Sequence, residues 1–432
     1  MNAENWHLAK LCFERARQLG VVSNQDLFSL AKATALTRDE LRTVAVLAQL
    51  APDDRSVYAP AHMWQAVSLL QDGHCSADDL ISVELHLRHV LSLAPTHEMA
   101  NALLGELYFQ QEFWDGAVNC LSFAPRSQTK YGVLLSKACV QTGRRAQAEF
   151  AALTVIRISS DAAGRDPMDH ESRRHWAEML VVLERFPEAV DVLAEGIRIE
   201  EDDQENHNAL ARTYLSWSDK LMEDTGPLEI RRINSFRLIA KAMEHNPDNP
   251  WLFNRMMEVI SFEDDLAAEA REFLRQNLAR GHAIGMSHLL LGTFLEKTKD
   301  SAQADFHFEQ ASRLMPTAAI VANNFAWHLA HQPNPDLNRA FSLIQTVIAK
   351  HPDNAAYIDT RANIYLGMKK WSLALADFQI SLTKYSHEPS VHDGLARAYS
   401  ELQMTDLAKT HEKTAKRLKD GAQKDGLRAK PE

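Results

Sequence analysis

Three consecutive stretches within residues 285–382 repeat one pattern, and that repetition constrains the fold more than any other feature. Each opens with an apolar helical stretch holding a small residue (Gly292, Ala326, Ala362) and a large one three positions later (Leu295, Leu329, Tyr365). Each breaks at a polar turn and resumes with Ala304, Ala340 or Ala374, followed four residues on by Phe308, Ile344 or Phe378. Pro316 and Pro352 close two of the three. Gly292 and Ala326 are 34 residues apart, as are Ala340 and Ala374. A small residue lets a partner helix approach closely, and a large residue one turn away fills the space to crystal-like density. A two-helix unit at this period cannot cover its own apolar surface, so it must stack on copies of itself.

The residues Gly292, Leu295, Ala304, Phe308 and Pro316, with their counterparts in the next two units, make the chain resemble the tetratricopeptide-repeat family. The resemblance implies an all-α fold, a right-handed superhelical solenoid of stacked antiparallel helix pairs whose first helices line a concave groove. It extends more loosely to the N-terminal side through Gly105, Tyr108, Ala117 and Leu121, through Ser136, Cys139, Ala148 and Ala152, through Ala177, Leu180, Ala189 and Leu193, and through Ala211 and Tyr214. The unit beginning at Pro250 departs most, with Met256 and Met257 at the small position, Glu269 for the alanine and Phe273 for the aromatic. A last unit carries Ala396, Tyr399, Ala408 and Ala415, with Glu412 in the aromatic slot.

These signals divide the chain into a divergent N-terminal helical cap (1–56), a solenoid of about ten helix pairs (57–420) and a polar, disordered tail (421–432). The stretch 159–169, rich in Gly, Pro and Asp, reads as a linker and a bend. An insertion at 219–231 reads as a loop projecting from one edge.

A length of 432 residues points to two or three globular domains, but a solenoid grows by adding repeats to one core. The formal charge of −11 opposes a phosphate backbone as main partner, which needs clustered Lys and Arg. No apolar run reaches 18 residues, so no membrane span is expected. The start lacks the apolar segment of a signal peptide. Cys12, Cys75, Cys120 and Cys139 lie apart without a CxxC pair and read as buried thiols in a reducing compartment, hence a cytoplasmic chain.

No Walker loop, GxGxxG, GxSxG or HExxH occurs. The expectation is therefore a non-catalytic protein, with neither cofactor nor metal. His62, His74, Cys75, His86, His89 and His97 crowd one region, but zinc needs converging ligands and none of its spacings is present. These histidines read as surface residues.

The resemblance implies a scaffold that holds a protein or peptide in its groove. Reading one slot of the first helices gives Asn208, Asn254, Asn323 and Asp359, continuing to Asp393. One turn further lie Arg212, Glu258, Trp327 and Asn363, continuing to Arg397. Asparagine both donates and accepts, which suits the main chain of an extended peptide. Trp327, beside His328 and His331, reads as an apolar anchor or a joint filler. Lys130, Lys137, Arg174 and Arg212 make the early groove basic, and Glu258, Asp359 and Asp393 make the later groove acidic. The alternatives are an accessory subunit binding through its convex face or the 219–231 insertion and, more distantly, a nucleic-acid-binding helical array. A second copy of the chain is also among the partners the groove admits.

Overall fold

The computed structural model describes residues 3–18, 20, 22–71, 76–260 and 264–428, with backbone alone for 3–5, 7–9, 17 and 421–428. Among them are 23 α-helices and no strand. The chain divides into two compact units, Met1–Thr213 and Tyr214–Glu432.

The first unit starts with α1 (Ala3–Gln18), α2 (Asn24–Leu36) and α3 (Glu40–Leu50). Phe28, Leu30, Val46 and Leu50 of α2 and α3 form a small core that reaches Ala61 of the next helix. Four helix pairs follow: α4 (Ala59–Gln71) with α5 (Ala77–Leu93), α6 (Glu98–Gln110) with α7 (Trp114–Leu121), α8 (Thr129–Gln141) with α9 (Arg145–Arg165), and α10 (His170–Val182) with α11 (Phe186–Ile199). The division into units falls within α12 (Gln204–Glu223).

The second unit holds the C-terminal half of α12 against α13 (Leu228–His245), where Ser218 and Ser235 hydroxyls meet at 2.7 Å. Then come α14 (Pro250–Ile260) with α15 (Asp265–Arg280), α16 (Ile284–Lys297) with α17 (Ser301–Leu314), α18 (Ala319–His331) with α19 (Leu337–Ile348), α20 (Ala355–Gly367) with α21 (Trp371–Leu382), and α22 (Pro389–Glu401) with α23 (Thr405–Arg428).

The joints are those the repeat demands. Ala304, Phe308, Ala326, Ala340, Ile344, Ala362, Ala374 and Phe378 are all fully buried. At Gly292 an added Cβ would sit 3.2 Å from His307 Cβ, so α16 and α17 touch there because a side chain is missing. Phe308 stacks on Phe325 of the next pair, their ring centroids 5.8 Å apart, and so belongs to two repeats at once.

Seven of the hairpins among the described residues turn by the same device. Arg38, Glu112, Gly143, Glu184, Lys299, Lys369 and Gln403 adopt left-handed backbone, with φ between 58° and 70°. The following N–H reaches back five residues, for example Lys370 N to Tyr365 O at 2.9 Å and Asp300 N to Leu295 O at 3.0 Å. This closure satisfies helix-end carbonyls that otherwise have no partner. Only one of the seven positions is glycine, which is why the turns carry no sequence punctuation.

Several expectations are corrected. In the pair α14–α15, Ala270 and Leu274 fill the joint, while Glu269 is exposed and Phe273 only half-buried. The alanine-then-large rule survives one residue later, with Met256 and Met257 buried opposite. The 159–169 linker is mostly helix: α9 runs through Arg165, with Ser159 and Ala163 buried on its inner side. The 219–231 insertion is also largely helical, because α12 and α13 lengthen to 20 and 18 residues and leave a short turn. Helix α23 runs through Arg428, so 421–428 is helical rather than an unstructured tail, and 429–432 lie outside the described residues. Cys12 is exposed rather than buried, and Cys75 lies outside the described residues.

Candidate functional site

Within each unit the first helix of a pair also packs on the first helix of the next: α6 on α8 and α8 on α10, then α14 on α16, α16 on α18, α18 on α20 and α20 on α22. Among the described residues, consecutive second helices do not pack on each other to that extent. First helices therefore share one side of each unit, and the residues expected in the groove lie on those helices.

Asn208 and Arg212 lie in the first unit, the former half-buried and the latter exposed. Gln204 Nε2 donates to Asn208 Oδ1 at 3.3 Å. The other six lie in the second unit. Asn254 and Glu258 are exposed on α14, while Asn323, Trp327, Asp359 and Asn363 are half-buried on α18 and α20, two helices that pack together. Trp327 stacks on His331 with ring centroids 4.0 Å apart. His328, beside it, faces the core: burial opposes its charge, but Glu296 and Asp305 outweigh burial and raise its pKa.

The α18–α20 face has an unusual hydrogen-bond balance. Asn323 Oδ1 and Asp359 Oδ1 are both shielded from solvent, and neither has a donor. Asn363 Nδ2 donates to the Asp359 backbone carbonyl at 3.0 Å and reaches Oδ2 only at 3.5 Å. Burial, reinforced by the Glu388 carboxylate, pushes the Asp359 pKa up to about 6. A shielded acceptor without a donor costs roughly 1–3 kcal/mol, more when it is charged. These neighbouring helices therefore hold two acceptor oxygens without a donor.

Asn254 and Glu258 line a separate cleft of about 950 Å³, together with Asp219, Met222, Leu228 and Trp251. Trp251 is 68% exposed. Arg255 spans the cleft wall, 2.6 Å from Asp219 and 3.1 Å from Glu258. The helical insertion thus forms one wall of a cleft that holds two of the residues expected in the groove. Residue identity alone could not show this, because the wall exists only once α12 and α13 are extended.

The basic stretch expected of the early groove is largely neutralised. Lys130 pairs with Glu106 and Lys137 with Glu178, each at 2.6 Å between neighbouring first helices, and Arg174 lies 3.4 Å from Asp203. In the second unit Asp393 pairs with Lys419 at 2.6 Å.

The histidines at 62–97 are not the surface residues expected. His62 is fully buried and His86 nearly so, and their Nδ1 atoms meet at 2.9 Å. His89 binds Ser56 Oγ and the Asp53 carbonyl, while His74 and Cys75 lie outside the described residues. The same device recurs between His288 and His307 at 2.9 Å and between His392 and His411 at 2.8 Å. In each case a first helix is joined to its second helix. In each pair one ring nitrogen donates and the other accepts, and burial followed by the neighbouring histidine pushes His62 and His307 down to about 4. The partner 19 or 24 residues away is invisible in local sequence.

No protein-family model matches the chain, and no curated protein sequence matches it. Solved structures do resemble it. The tetratricopeptide domain of P58(IPK) is 15% identical, with a TM-score of 0.30, over 89% of this chain and 99% of that one. The Cut9–Hcn1 hetero-tetramer of the APC/C gives 13% and 0.39 over 96% and 91%. Yeast Tom70 gives 13% and 0.34 over 84% and 88%. The repeat assignment rests on the chain's own helix pairing and on the small and large residues at its joints. In fold, the chain is a tetratricopeptide-type helical-repeat protein.

Proposed function

We propose that this protein is a non-catalytic scaffold that holds a polypeptide segment on the first-helix face of its second unit. The observation that carries the reading is the pair of shielded, donorless oxygens, Asn323 Oδ1 and Asp359 Oδ1, on the adjoining helices α18 and α20. An extended peptide brings a regular row of N–H donors, and a lysine or arginine brings a charged one. Asp359 then regains its charge against the basic side chain, while Asn323 accepts from the main chain. Trp327, half-buried one turn from Asn323, offers an apolar surface beside them. Asn363 holds the Asp359 turn in place.

The test is a display library of random linear peptides selected on the purified full chain. Enrichment of peptides with a basic residue is expected, with at least tenfold weaker binding to Asn323→Ala/Asp359→Asn and unchanged binding to Asn208→Ala. Selected peptides that bind the double variant as well as the wild type would remove the assignment.

A second reading has its own observation. The 950 Å³ cleft beside the helical insertion is lined by the exposed Trp251, Met222 and Leu228 together with Asn254 and Glu258, as an accessory subunit gripping a partner there would require. Trp251→Ala separates the two, because it abolishes binding only if the cleft is the site.

A further inference from the structure

A polar cluster in the first unit is independent of the groove, and it sits where three helix ends meet. His170 begins α10, Glu200 follows the end of α11, and Asp203 precedes α12. One ligand atom from each lies within 4.8 Å of the other two. We propose that these residues bind a divalent transition-metal ion of the zinc class, which pins the α10–α11 pair to the start of α12.

The local geometry supports a missing cation better than an ion pair. His170 is 8% exposed, and its Nε2 is 3.0 Å from Glu200 Oε2, yet this nitrogen makes no hydrogen bond. The carboxylate lies out of line with the N–H direction, so an imidazolium would not be satisfied by it. Two ligand atoms around a tetrahedral zinc with bonds near 2.0–2.1 Å are about 3.3 Å apart. The 3.0 Å approach is close to that edge, and a slight opening admits the ion.

A second buried group points the same way. Asn206 is completely buried, its Nδ2 is 3.0 Å from His170 Nδ1, and its Oδ1 has no partner. Turning the amide over would let Oδ1 accept from Nδ1–H, which leaves Nε2 free of a proton and able to ligate. That is the arrangement by which a second group orients a metal-bound histidine.

The third ligand is also held in place. Asp203 Oδ1 caps α12, accepting from Glu205 N at 2.9 Å and Asn206 N at 3.2 Å, so Oδ2, 3.7 Å from the His170 ring at Nδ1, is the oxygen left to turn toward an ion on Nε2. Arg174 at 3.4 Å from that oxygen opposes a cation, and the neighbouring Glu201 and Asp202 favour one. One imidazole with two carboxylates suits zinc and its neighbours rather than magnesium or calcium, which prefer all-oxygen sites. Glu200 is half exposed, so the ion has a way in.

Chelator-stripped full-length protein is titrated with Zn²⁺ in competition with a chromophoric chelator. Wild type and His62→Gln should each hold one tight ion per chain. Glu200→Gln and Asp203→Asn should bind at least tenfold more weakly, and asparagine keeps the α12 cap intact. No tight ion in the wild type, equal affinity in all four proteins, or loss in His62→Gln alone would each overturn the proposal. Far-ultraviolet circular dichroism of each variant confirms that a lost ion is not a lost fold.

Discussion

Asp359→Asn should make the protein more stable at neutral pH. The carboxyl titrates near 3.8 when unfolded and is raised to about 6 in the folded chain, by burial first and by Glu388 second. Between those values the folded state keeps a proton that the unfolded state has released. Stability from this group is therefore complete below about pH 3.8 and falls as pH rises through about 6. A difference of about two units, at 1.36 kcal/mol each, amounts to about 3 kcal/mol above pH 7. Asparagine carries no such charge, so the variant should gain up to about 3 kcal/mol at pH 7.5 and about half of that at pH 5. Repeat arrays open in pieces, so the readout is hydrogen exchange of the α20 amides in wild type and variant at both pH values, corrected for intrinsic rates. A variant less stable than wild type at pH 7.5 would refute the reasoning. So would a difference that does not shrink at pH 5.

Phe308→Ala removes a fully buried ring shared by two repeats and should cost about 3–5 kcal/mol in urea unfolding. Lys369→Gly relieves left-handed backbone at φ 60° and should raise the unfolding free energy by about 1 kcal/mol, whereas a loss would show that the turn is not strained. His62 and His307 are held neutral to about pH 4, so their stability is complete above about 6.5 and disappears as pH falls toward 4. The double change His62→Gln/His307→Gln should flatten stability against pH in that window, and an unaltered acid arm would count against buried pairs.

The joints were legible because close approach requires an absent side chain: Gly292, Ala326, Ala362 and their facing alanines announce themselves at a fixed spacing. The register of α14–α15 was misread because the Met256–Met257 doublet offers no small residue to align on, and Glu269 happened to sit one place from the buried Ala270. Helix through 159–165 was hidden by Gly164, which the alanines around it tolerate. The hairpin turns were hidden too, since charged residues such as Glu112 and Lys369 hold a conformation usually left to glycine. Positions 323 and 359 could be placed on first helices from spacing alone. That their oxygens lack donors depends on the packing of α18 against α20, which no local pattern encodes. The buried state of His62 is likewise set by His86, a whole helix away.

The pH dependence of peptide affinity tests the central claim most directly. A basic side chain docked on Asp359 needs the carboxylate ionised, so a selected lysine-containing peptide should bind progressively more tightly from pH 5 to 7.5. In Asp359→Asn the same titration should be weak and flat. Affinity that does not change with pH in the wild type, or that changes equally in the variant, would contradict the account.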